Sequence, residues 1–113
     1  MRKLRIPLRI VFYQDEGEWI AHCLEFDLLG DGPTKDEAAR QLEKAIATQF
    51  ESFLENKDIN NLFSPAPAEI QRMFAEGDDE PSGMLKIDPI DNAVEFDDIC
   101  SRTVRAQAGI YSN

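Results

Sequence analysis

The sequence predicts an α+β fold: a small antiparallel sheet with a long helix packed across one face, a short second helix and a C-terminal strand. Three observations carry this. Leu4, Ile6, Leu8, Ile10 and Phe12 occupy every even position of the opening segment, the period of a strand with one buried face. The period changes to that of a helix after Thr34, where Ala38, Leu42, Ala45, Ile46, Phe50, Phe53 and Leu54 share one side. Between them stands Thr34-Lys35-Asp36-Glu37, a capping box that places a helix start at Thr34.

The first strand covers residues 3–13. Pro7 has no N–H to give a ladder, which points to an edge position or a bulge, and Val11 and Tyr13 fall on the outer face, implying partial cover there. Gln14-Asp15-Glu16-Gly17 forms a turn, and residues 18–23 return as the second strand of a hairpin. A third short strand spans 26–30, and the glycines of Gly30-Asp31-Gly32 are expected to serve a turn. The helix of residues 34–55 carries Arg40, Glu43, Lys44, Glu51 and Glu55 on its solvent side. Leu62 and Phe63 are expected to anchor the connector, and Ser64-Pro65-Ala66-Pro67 opens a second helix ending near Ala75. The acidic, breaker-rich run 77–83 is expected as a linker. Beyond it, residues 84–90 read as a strand, Asp91-Asn92 as a turn, and Ala93-Val94-Glu95-Phe96 as either a partner strand or a helix start.

Twelve Lys and Arg against 22 Asp and Glu give a formal charge of −10 over 113 residues. Arg2, Lys3, Arg5 and Arg9 stand in the first nine positions with no acid among them, so the acidity belongs to the rest of the chain. An acidic body repels nucleic-acid phosphates and attracts a basic protein. No apolar run approaches the roughly 20 residues of a membrane helix, and Pro7 and Arg9 interrupt any secretory signal, so a cytoplasmic protein is expected. In that compartment Cys23 and Cys100 are expected as reduced thiols.

Chemistry-bearing groups concentrate near the hairpin. Asp15, Glu16, Glu18, Glu25, Asp27 and Asp31 supply the oxygen ligands a metal-dependent nuclease needs, but their spacing is that of ordinary solvated turns. His22 and Cys23 are adjacent in a strand, so their side chains point to opposite faces and do not form a thiol–imidazole pair. Gly30-Asp31-Gly32 with Thr34-Lys35 lacks the order and spacing of a phosphate loop.

The segment from Val11 to Leu54 resembles the HicB-like antitoxin superfamily. The carrying residues are Phe12-Tyr13, Glu16-Gly17, Trp19-Ile20-Ala21-His22-Cys23 and Glu25, then Leu28-Leu29-Gly30-Asp31-Gly32, Thr34, Glu37-Ala38, Leu42 and Ala45-Ile46. The resemblance implies a partial ribonuclease-H-like fold without catalytic function or cofactor, in residues 1–76, with residues 84–113 as a C-terminal extension. It implies a small basic RNA-cleaving toxin of the HicA type as partner, and self-association as a homodimer or tetramer. The partner-binding residues are then expected among Glu16, Glu18, Trp19, Glu25 and Asp27. Many members carry a C-terminal DNA-binding motif. Residues 84–113 depart from that, with three basic residues against five acids and one strand beside at most one helix. A solitary scaffold or ligand-sensing domain is the alternative, and a metal-dependent nuclease the less favoured one.

Overall fold

The computed structural model describes residues 4–56, 63–81, 83–90 and 92–104. The elements in chain order are β1 (Leu4–Asp15), β2 (Glu18–Cys23), β3 (Leu28–Gly32), α1 (Lys35–Asn56), α2 (Ala68–Glu76), β4 (Asp78–Asp79) and β5 (Val94–Thr103). They build one five-stranded sheet in the order β3-β2-β1-β5-β4. β1, β2 and β3 form the antiparallel meander, while β5 runs parallel to β1 on its other side. A parallel neighbour requires a long crossover, and here everything between β3 and β5 supplies it.

β1 is therefore central and not an edge. Pro7 is accommodated by a register shift between Ile6 and Pro7 in the pairing with β5, and it lies beyond the β2 ladder, which starts at Ile10. The bulge thus takes the residue that cannot donate.

Alternation along β1 sorts the interior into two cores. Ile6, Leu8, Ile10 and Phe12 face α1 and pack with Ala38, Leu42, Ile46 and Phe50. Val11 faces the other way, onto Ile70, Met73 and Phe74 of α2, with Tyr13 and Cys100 beside them. The outer face of β1 is thus covered, as Val11 and Tyr13 foretold. Cys23 joins the α1 core and Cys100 borders the α2 core, so the two thiols sit on opposite faces, both free.

Helix α1 starts where the capping box places it, with the Glu37 N–H donating to Thr34 Oγ1 at 3.1 Å. Three other expectations are corrected. The third strand starts at Leu28, because Phe26 turns into the α1 core and Asp27 takes a positive φ of 53°. Gly30 and Gly32 lie inside that strand, and their role is not a turn. A Cβ at Gly30 would stand 2.3 Å from the Leu42 nitrogen and 2.6 Å from the Ala38 oxygen, so its absence lets α1 lie directly on β3. The C-terminal strand is Val94–Thr103, whereas residues 84–89 are irregular and Ile90 makes one bridge, to Val94. Leu85 is buried there and Ile87 packs at the rim, so the apolar pattern reflects burial without a ladder.

The second helix begins at Ala68. Before it, the Ser64 and Ala66 N–H groups donate to the carbonyls of Glu25 and Leu24, which keeps residues 64–66 extended. Phe63 rests against Phe26 with ring centroids 5.4 Å apart but stays exposed. Leu62 lies outside the described residues. In the acidic run 77–83, Asp78 and Asp79 pair with Thr103 and Arg102 as the edge strand β4.

Candidate functional site

One end of the sheet gathers the β1–β2 hairpin, the end of β3, the first turn of α1 and the end of β5. The hairpin register sets Asp15 opposite Glu18, with Glu16 and Gly17 at the tip in left-handed conformations, φ 52° and 83°. Glu16 and Glu18 are both exposed. Trp19 pairs with Gly32, which brings the exposed Asp31 alongside, and a Cβ at Gly32 would stand 2.8 Å from Cβ of Glu37. Asp36 and Glu37 on the first turn of α1 are exposed too. Six exposed carboxylates thus crowd this end: Asp15, Glu16, Glu18, Asp31, Asp36 and Glu37.

Behind them lies a cationic pin. The Lys35 ammonium is paired with the Glu80 carboxylate, donates to Thr103 Oγ1 at 3.2 Å, and lies 5.4 Å from the Trp19 ring centroid and 5.8 Å from that of Phe12. Hydrogen bonds from Lys35 and Thr103 hold the Glu80 carboxyl below its usual range. Trp19 is therefore half-buried against the α1 core, with Lys35 over its ring.

Glu25 and Asp27 are placed differently. The Glu25 carboxylate accepts from the backbone N–H of Arg9 at 2.8 Å and from its Nε at 2.7 Å, at the opposite end of the β2 ladder from the acidic cluster. Its charge is committed to β1. Asp27 accepts from His22, whose Nε2 lies 2.6 Å from Oδ1, while the Tyr13 hydroxyl lies 2.9 Å from His22 Nδ1. With Nε2–H donating to the carboxylate, Nδ1 accepts the phenol proton, and all three groups are satisfied. His22 is 5% exposed. Burial, with the carboxylates of Asp15, Asp27 and Glu69, pushes the Tyr13 phenol up to about 12. A phenol held that firmly protonated is a hydrogen-bond donor and a poor nucleophile, so the chain of bonds locks the β2–β3 turn to β1. Cys23 is likewise quiet, its thiol pushed up to about 12 by burial.

Of the five residues expected at the partner surface, Glu16, Glu18 and Trp19 thus lie together, and Glu25 and Asp27 lie apart, bonded to Arg9 and His22 with the Asp27 side chain 39% exposed. The Tyr13–His22–Asp27 chain was missed by sequence reasoning. The signal was present in part: hairpin register puts Tyr13 and His22 on one face, diagonally across from each other. Asp27 could not be added without the conformation of its turn.

Among the described residues no three His, Cys, Asp or Glu side chains converge as metal ligands. A groove of about 740 Å³ runs between α1 and residues 86–90, lined by Ala47, Leu54, Ile87 and Ile90 with charged Lys44 and Glu51. None of the expected partner residues lies in it. Among the described residues no helix is long and apolar enough to cross a membrane. No protein family, curated protein or solved structure matches the chain.

Proposed function

We propose that this chain is a non-enzymatic antitoxin of the HicB-like type, which binds a small basic RNA-cleaving protein and covers its catalytic surface. The observation that carries the reading is the gathering of Asp15, Glu16, Glu18, Asp31, Asp36 and Glu37 at one exposed end of the sheet. Asp36 and Glu37 also serve the start of α1, and with the four acids beside them their summed field concentrates and orients a basic partner. The small sheet with a helix across it, which the resemblance in residues 11–54 implies, supports the same reading. Self-association as a homodimer or tetramer has the resemblance alone behind it, since β1 is central and offers no free edge.

Growth tests it. A small basic protein encoded beside this chain, expressed alone, should arrest growth and degrade RNA, and co-expression of the chain should restore both. Rescue should weaken when Glu16 and Glu18 are changed together to Lys. Arrest that persists at full expression of the folded chain removes the antitoxin reading and leaves the solitary scaffold.

A further inference from the structure

We propose that the outer edge of β3, unpaired among the described residues, receives an extended basic segment of the partner as a sixth strand of the sheet. The identity of the partner rests on the antitoxin reading; the docking mode is read from the sheet itself.

The two edges of the sheet are built unlike each other. β4 is two residues long, both acidic and exposed, which is how an edge is made a poor template. β3 is five residues long, Leu28-Leu29-Gly30-Asp31-Gly32, and is paired on one side only, with β2, among the described residues. It contains no Lys, no Pro and no register shift, and its single charged side chain is Asp31, against two charged residues out of two in β4. Alternate N–H and C=O groups along it point away from β2, and no other strand among the described residues pairs with them.

The edge is also held still. With no side chains on Gly30 and Gly32, the backbone of α1 lies against one face of β3, which fixes the strand before anything docks. Leu29 and Asp31 point to the opposite face, where Leu29 is 49% exposed and the neighbouring Ile20 is half-buried. An incoming strand therefore meets a short apolar strip on that face and a preorganised row of backbone groups, which lowers the ordering cost of docking.

Charge selects the occupant. Between Arg9 and Lys35 the chain has six acids and no Lys or Arg. Asp31 flanks the added strand on the Leu29 side and Glu37 flanks it beyond Gly32 on the α1 side. Side chains on both faces of an incoming strand thus meet carboxylates, so a segment bearing Lys or Arg on both faces fits. A second copy of this chain would bring its own acidic β3 and hairpin against this one, with no Lys or Arg between Arg9 and Lys35 to answer them.

The probe is the blocked hexapeptide Lys-Lys-Val-Val-Lys-Lys, which carries lysine on both faces when extended, titrated into the isotope-labelled full chain and read by amide hydrogen exchange and chemical shift. The amides of Leu28–Gly32 should gain protection. The same peptide N-methylated at every residue can donate from neither edge and should bind about tenfold or more weakly, at least two hydrogen bonds being lost. Asp31→Lys, at an exposed position, should weaken the unmethylated peptide several-fold while leaving the fold unchanged. Equal binding of the methylated peptide, or protection confined to the α1 groove, overturns the proposal. So does a dimer of the unliganded chain that Asp31→Lys dissociates, since a second copy then holds the edge. The two readings fail separately. Growth rescue by a chain whose β3 amides gain no protection removes the sixth strand and keeps the antitoxin; β3 protection without rescue does the reverse.

Discussion

Adding one methyl group at Gly30 should damage this protein more than any surface change. A Cβ there meets three backbone atoms of α1: the Leu42 nitrogen at 2.3 Å, the Ala38 oxygen at 2.6 Å and the Gln41 carbonyl carbon at 2.8 Å. No rotamer change relieves a clash with backbone, so the helix must move off β3 by roughly 1 Å to reach ordinary van der Waals separation. A gap of that size forfeits a quarter to a half of the dispersion along the α1–β3 contact. Gly30→Ala should therefore cost at least the upper end of the usual overpacking range, about 3 kcal/mol. For a domain this size that lowers Tm by more than roughly 10 °C. Circular-dichroism melts and urea titrations of three variants test it. Gly17→Ala has nothing within 4 Å but a φ of 83°, so it should cost only about 1 kcal/mol of backbone strain. Gly32→Ala, whose Cβ would stand 2.8 Å from Cβ of Glu37, should fall between the two. A Gly30→Ala variant within about 0.5 kcal/mol of the parent, inside the ordinary surface range, would refute the close approach of α1 to β3.

Two further predictions follow from the buried networks. The Tyr13 phenol is raised from 10.0 to about 12, so its contribution is complete below pH 10 and is lost as pH rises through 12. Tyr13→Phe should remove the phenol absorbance change near pH 12 and flatten that alkaline loss. At lower pH it should cost about 1–3 kcal/mol, because His22 Nδ1 is left buried without a donor. Glu80 is held below 4.5 by Lys35 and Thr103, so its contribution is present above pH 4.5 and disappears as pH falls through the lowered value. Lys35→Met should shrink the drop in Tm below pH 4.5 relative to the parent, and an unchanged acid profile would show that the pin carries no weight.

The elements nearest the amino terminus were legible because each is specified by its own residues. The alternation of β1, the hairpin acids and the Thr34 cap all act locally, and the strands and helix stand within a few residues of where those signals put them. The later part was not legible for a physical reason. β5 finds its place by pairing with β1 across roughly 90 residues of sequence, and Asp97, the residue passed over at the Ile6/Pro7 shift, breaks its alternation. Residues 84–90 look like a strand because Leu85, Ile87 and Ile90 pack against the same core, although only Ile90 makes a bridge. At the candidate site, Glu16, Glu18 and Trp19 followed from hairpin geometry. Glu25 did not, because its ion pair with Arg9 depends on how the chain leaves β2. The open edge of β3 was hidden by reading its glycines as a turn. Their pairing with Ala21 and Trp19 of β2 places them inside a strand, and the proximity of α1 explains why they are glycines.

In the proposed function the acidic end of the sheet guides a small basic partner. The most direct test is the association rate constant, by stopped flow, with any small basic protein found encoded beside this chain. Glu16→Gln, Glu18→Gln and Asp31→Asn combined provide the comparison, since all three side chains are exposed and outside the internal networks. Between about 50 mM and 500 mM salt the Debye length falls from roughly 14 Å to about 4 Å. The parent rate constant should drop on the order of tenfold or more while dissociation changes little. The triple variant should associate slowly at every salt concentration. A parent rate constant that is flat across the range, or equal to that of the triple variant at low salt, would contradict the account.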